Sequence, residues 1–171
     1  LRSPSSLPPA TCTWVPELSD KKPSNPPAPR AGPDLDGNAP ADRAEHITVC
    51  VCTYKRPELL RTLLEKLEAQ ETAGRFTFSV VVVDNDAALS ARDTVKAFAA
   101  KSGLEVEYHC EPEQNIALAR NRALLNAKGE YVALIDDDEY PIASWLQKLR
   151  IACLEMGADG VQGPVVPRYE E

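Results

Sequence analysis

From about His46 onward, apolar residues recur in two alternating rhythms, and the first 45 residues follow neither. Ile47-Thr48-Val49-Cys50-Val51-Cys52 is a β-branched run of the kind that fills a parallel strand covered on both faces. Pro57 is placed to open a helix, and Leu59, Leu60, Leu63, Leu64 and Leu67 then fall on one helical face, with Gly74 closing the unit. Phe76 to Val83 reads as a second strand, followed by a helix from about Ser90 to Lys101 that Ser102-Gly103 stops. Leu104 to Cys110 alternates like a third strand. Asn115 can cap a helix from Ile116 to Ala127 that Lys128-Gly129 ends. Glu130 to Ile135 is a short buried strand, a helix is expected from Pro141 to Met156 with Gly157 at its end, and Val161 to Val166 reads as a last strand. Strands alternating with helices through short loops predict right-handed crossovers and an α/β, three-layer, mostly parallel sheet.

Composition divides the chain at the same place. Residues 1–45 hold ten of the fifteen prolines, a composition that buries too little apolar surface to fold, so a disordered Pro-rich leader is expected there. Within it, Pro26-Pro27-Ala28-Pro29-Arg30 reads as plain linker ahead of a ligand for a proline-binding module, and Cys12-Thr13-Trp14-Val15 is its one sticky spot. Residues 46–171 are one ordinary domain in size. The chain opens on Leu1 and stops at Tyr169-Glu170-Glu171, so it is expected to be a piece of something longer. A formal charge of −7 without a basic stripe argues against nucleic acid as a partner. The five cysteines at 12, 50, 52, 110 and 153 lack zinc spacing and read as buried thiols in a reducing cytoplasm. No apolar run approaches the ~20 residues that span a bilayer, which leaves peripheral attachment at the inner membrane face open.

Polar groups cluster after three strands, at 53–56, 84–86 and 136–139. In a parallel sheet these ends share one edge, where ligands bind. The run Asp136-Asp137-Asp138-Glu139 puts four carboxylates together at a strand end. A hard divalent cation such as Mn²⁺ or Mg²⁺ prefers such oxygen ligands and would relieve their repulsion; a solvated acidic turn is the alternative. Asp84 is suited to accept hydrogen bonds from a base or ribose, or else caps its own turn. Arg56, Arg120 or Arg122 suit phosphate oxygens, with plain solvent exposure the alternative for Arg122. No glycine-rich dinucleotide fingerprint or phosphate loop follows the first strand, Asp84-Asn85-Asp86 lacks the rest of a calcium loop, and His46 and His109 have no serine elbow beside them.

Ile47 through Thr53-Tyr54-Lys55-Arg56-Pro57, then Val82-Val83-Asp84-Asn85, Asn115 through Ala119-Arg120-Asn121, and Gly129-Glu130-Tyr131 leading into Asp136-Asp137-Asp138 together resemble family 2 glycosyltransferases of the GT-A, Rossmann-like fold. The resemblance covers about residues 46–167 and matches in order as well as in words. It implies that the acidic triplet is a DxD motif, with Asp138 the direct ligand of Mn²⁺ or Mg²⁺ and Asp136 shared between metal, ribose and diphosphate. It implies a nucleotide site of Thr53, Tyr54, Arg56, Asp84, Asn115, Arg120, Asp136 and Asp137, in which Thr53 and Asp84 hold the base.

The implied reaction moves a sugar from a nucleoside-diphosphate sugar, a UDP-sugar first among them, to a hydroxyl of a sugar or glycan acceptor. It is metal-dependent and inverting, and serves polysaccharide or glycoconjugate synthesis. Gly163-Pro164-Val165-Val166-Pro167-Arg168-Tyr169 resembles a segment of members that build bacterial polysaccharides. The family's acceptor segment and general base have no counterpart here, and neither Glu170 nor Glu171 is assigned that role, so the base is expected beyond residue 171. Two other readings stay open: a catalytically incomplete nucleotide-binding fragment or interaction module, and a nucleotidyltransferase, although the loop at 53–57 has no glycine. Uncovered apolar surface would favour a homo-oligomer.

Overall fold

A computed structural model of the chain describes residues 45–167. The expected leader at 1–45, with Cys12-Thr13-Trp14-Val15 and the proline run, lies outside the described residues except for Glu45, and so do Arg168 to Glu171. The chain runs β1 (Glu45–Thr53), α1 (Pro57–Glu68), β2 (Phe76–Asp84), α2 (Arg92–Ala99), β3 (Val106–Cys110), α3 (Ile116–Asn126), β4 (Tyr131–Asp136) and α4 (Trp145–Met156). The four strands form one sheet of order β3-β2-β1-β4, and every pairing is parallel.

Alternation along each strand separates two cores. Val49, Val51, Val80, Val82, Ala133 and Ile135 face α1, α2 and α4, where Leu60, Leu63, Leu64, Leu67, Val95 and Leu146 meet them. Cys50, Val81 and Val83 face the other way, onto Ala119 and Ala123 of α3. Both faces of β1 and β2 are therefore dry, which is why these strands read as unbroken apolar runs. α3 does not reach across β4, whose Val132 and Leu134 remain exposed.

Strand order places the site. The chain steps from β1 to β2 to β3 in one direction, then crosses to the far side of β1 for β4. The direction of winding therefore reverses between β1 and β4, and the loops that leave these two adjacent strands border a crevice at that point. Register aligns the floor of that crevice, because Cys52 pairs with both Val83 and Asp136, and Thr53 lies level with Asp84, which lies level with Cys110.

Two expected elements differ. The last helix starts at Trp145, not at Pro141, because the residues just past α1 capture the segment before it. The Gln70 side chain donates to Ile142 O (2.8 Å) and accepts from Leu146 N (3.1 Å), while Glu71 N donates to Ala143 O (2.8 Å). These bonds hold 141–144 outside helical geometry. Residues 161–167 form no strand, and Val165 and Val166 are exposed; with no strand paired to them among the described residues, β-propensity alone does not make a ladder.

Candidate functional site

The crevice is a cavity of about 400 Å³ lined by Cys52, Thr53, Tyr54, Arg56, Asn85, Gln114, Asn115, Ile116, Arg120 and Asp136 to Asp138. One wall is the turn after β1. Lys55 there holds a left-handed backbone (φ 55°), an uncommon state for a residue with a side chain, and its ammonium lies 5.0 Å from the centre of the Tyr54 ring. Tyr54 itself lines the cavity. Pro57 then starts α1 without a side-chain cap.

The acidic triplet forms the opposite wall, and its three carboxylates differ sharply. Asp137 is buried, with both oxygens engaged: Thr53 Oγ1 donates to Oδ2 (2.7 Å) and Arg56 Nη1 to Oδ1 (3.1 Å). Asp136 and Asp138 are each about half exposed, Asp136 meeting Arg120 Nη2 (3.1 Å) and Asp138 meeting Arg56 Nη1 (3.1 Å). The field of Asp137 and then Asp138 raises the Arg56 guanidinium above its ordinary pKa. Among the described residues, no three His, Cys, Asp or Glu side chains are grouped so as to hold a metal ion. Asp136 and Asp138 suit a divalent ion chemically, as hard oxygen donors, but supply only part of a shell.

The third wall is the loop before α3. Asn85 donates from Nδ2 to Glu111 O (2.9 Å) and Glu113 O (2.6 Å) and accepts at Oδ1 from Asn115 N (3.0 Å). Asn115 in turn caps α3 by accepting from Ala117 N (2.9 Å), the role its position predicts. Asn85, Gln114, Ile116 and Cys52 line the cavity without having been singled out as site residues; the signal for Asn85 was its place just past a buried strand, beside a more conspicuous aspartate. Cys52 is a neutral wall, since burial pushes its thiol up to about 11.

Seven of the eight expected nucleotide residues (Thr53, Tyr54, Arg56, Asn115, Arg120, Asp136 and Asp137) border one cavity, with Asp138 beside them. Asp84 does not. It is fully buried, and its carboxylate accepts from Asp86 N, Ser90 Oγ, Ala91 N and Tyr108 Oη. A carboxylate with four filled acceptor positions has none left for a base, so the expectation that Asp84 holds the base is corrected to its alternative, a cap for the turn into α2. Arg122 is also spent internally, donating from Nε to Glu111 (2.9 Å).

A family model for glycosyl transferase family 2 matches residues 48–171. Over 125 residues the chain is 42% identical to the succinoglycan biosynthesis protein ExoM of Rhizobium meliloti (strain 1021), covering 72% of this chain and 40% of ExoM. Its fold is similar to the crystal structure of S. aureus TarS 1–349 in complex with UDP-GlcNAc (TM-score 0.57, 27% identity, 72% of this chain and 37% of that one). It is also similar to the mannosyltransferase PcManGT from Pyrobaculum calidifontis in complex with GDP-Man and Mn²⁺ (TM-score 0.53, 28% identity, 61% and 33%). The chain therefore spans less than half the length of each of these proteins.

Proposed function

This chain belongs to glycosyl transferase family 2, and from that membership we propose that it forms the nucleotide-sugar part of a glycosyltransferase of polysaccharide synthesis. The observation that carries the proposal is the convergence, at the switch point between β1 and β4, of an aromatic ring, two arginines and the acidic triplet around one cavity. Support comes from the neighbours TarS, seen with UDP-GlcNAc, and PcManGT, seen with GDP-Man and Mn²⁺, and from the identity to a succinoglycan biosynthesis protein.

In this reading the base lies along the wall made by Thr53, Tyr54 and Asn85, and the diphosphate reaches Arg56 and Arg120. A guanidinium offers phosphate paired N–H donors in a planar fork. Asp136 and Asp138 would hold a divalent cation jointly with the phosphates, as ions of this kind are commonly held by one or two carboxylates plus substrate oxygens. Bound there, Mn²⁺ or Mg²⁺ supplies Lewis-acid stabilisation of charge on the leaving diphosphate. Asp137 orients both Thr53 and Arg56 from beneath. The acceptor hydroxyl attacks the anomeric carbon while a base takes its proton, one in-line displacement that inverts the centre. A cytoplasmic setting at a membrane's inner face belongs to the same proposal; among the described residues no helix is long and apolar enough to cross a membrane.

Thermal shift with UDP, GDP, CDP and dTDP, each with and without Mn²⁺, tests this. A ligand at a hundredfold its Kd stabilises the folded state by about 2.7 kcal/mol, so a rise in Tm of several degrees with one nucleotide, dependent on Mn²⁺, is expected. The Asp138→Ala variant is expected to lose the Mn²⁺-dependent part while keeping its unliganded Tm. Flat traces with all four nucleotides would overturn the proposal.

A further inference from the structure

Three formal negative charges stand side by side at 136–138, yet each meets a guanidinium of the same chain. Arg56 reaches in from the loop after β1 and spans Asp137 and Asp138 with one nitrogen, 3.1 Å from each. Arg120 reaches in from the second turn of α3 and meets Asp136 at 3.1 Å. Burial sorts these pairs into two kinds. The Asp137 side chain is 6% exposed, whereas Asp136, Asp138 and both arginines are 49–54% exposed. Ion pairs at that exposure are weak and rearrange readily. The Asp137 contact is therefore the pivot, and the Asp136 and Asp138 contacts are the movable ones.

We propose that Arg56 and Arg120 are exchangeable counter-ions that keep a free divalent cation out of the empty site and pass to the phosphates when nucleotide and cation arrive together. The inference rests on the nucleotide-sugar reading above and adds a binding order to it. The charges balance throughout. Before binding, the two carboxylates at the mouth face two guanidinium groups; afterwards the carboxylates face the cation and the guanidinium groups face the diphosphate. Neither partner alone achieves this. A cation by itself must enter beside two guanidinium groups, with two carboxylate donors where a hard ion takes at least six oxygens. A nucleotide by itself must draw the arginines away and leave Asp136 and Asp138 facing each other without compensation. Cation and nucleotide thus bind as a coupled pair, and the coupling must be the same measured from either side.

Calorimetry with Mn²⁺ alone, with UDP or GDP alone, and with both, on the wild type and on the Arg56→Gln/Arg120→Gln double variant, tests the exchange. In the wild type, nucleotide should tighten Mn²⁺ at least tenfold, and Mn²⁺ should tighten nucleotide by the same factor. In the double variant, Mn²⁺ alone should bind at least tenfold tighter than to the wild type, and the coupling should shrink toward unity. The Arg56→Lys/Arg120→Lys variant keeps both charges and should hold Mn²⁺ as weakly as the wild type. Equal Mn²⁺ affinity in the wild type and in a glutamine variant of unchanged circular dichroism would overturn the counter-ion role. So would a gain in the lysine variant as large as in the glutamine one. If the glutamine variant gains Mn²⁺ but neither protein binds nucleotide, the exclusion of the cation stands and the nucleotide-sugar reading falls.

Discussion

At the scale of single residues, neighbours in sequence divide their duties by the face they present. Asp84 and Asn85 are adjacent, yet Asp84 points under the sheet edge and is consumed by the turn into α2, while Asn85 points across it and ties down the loop at 111–115. Asn85→Ala would strand two carbonyls and one N–H, and an unsatisfied buried group costs about 1–3 kcal/mol. The expected outcome is a loss of stability of that order in urea unfolding, with faster amide exchange at Asn115. Gly129 makes a harder demand. Its φ is +93°, and a Cβ there would lie 2.5 Å from the backbone oxygen of His46. Gly129→Ala is expected to cost on the order of 3 kcal/mol, read as a lower urea midpoint; a midpoint within error of wild type would show that the entry to β4 yields more easily than its contacts imply.

At the scale of elements, α1 is held by four leucines, Leu60, Leu63, Leu64 and Leu67, all without solvent exposure. Leu63→Ala leaves a cavity under the sheet and is expected to cost about 2–5 kcal/mol in denaturant unfolding. The start of α4 is decided elsewhere. Local sequence favours Pro141, but Gln70 and Glu71, just past α1, hold the carbonyls of Ile142 and Ala143. Gln70→Ala removes the side-chain part of that hold, so the helix should lengthen toward Pro141, seen as new amide protection at Ser144, whose N–H would then reach the Tyr140 carbonyl. Unchanged protection there would assign the late start to the backbone bond from Glu71 alone. The triplet sits directly before this segment, so the geometry of the site depends on how α1 meets it.

At the scale of the whole molecule, the sheet's dryness carries a pH dependence. Burial pushes both Cys50 and Cys52 up to about 11 from 9.0, and burial also raises the Tyr108 phenol, with Asp84 adding to it. These groups stay neutral in the folded chain and ionise first in the unfolded one. For the two cysteines this stabilisation is present below pH 9 and is lost as pH rises through 11. Urea midpoints should fall between pH 8 and pH 10.5, and less steeply in Cys50→Ala; equal slopes would assign the alkaline loss to other groups. On the face of β4 that α3 leaves uncovered, Val132 and Leu134 are exposed, and an apolar patch of this kind is expected to promote self-association. Sedimentation is expected to show a concentration-dependent increase in mass that Leu134→Lys suppresses.

The sequence by itself determined the class of fold and most of its elements. A β-branched run covered on both faces, or a leucine face at helical spacing, leaves few physical alternatives, and the motifs at three strand ends pointed to one edge of a parallel sheet. It did not determine which of two adjacent polar residues at a strand end looks into the crevice, because that depends on how the following loop leaves the sheet. Asp84 and Asn85 were separated by that turn, and Arg122 was drawn away from the crevice by Glu111. The tertiary structure also decided where α4 begins and that 161–167 pairs with nothing among the described residues, since both depend on partners distant in the chain. Most of all, it decided the charge arrangement of the triplet: Arg56 and Arg120 lie 80 and 16 residues before Asp136, and only the order β3-β2-β1-β4 brings both to the same three carboxylates.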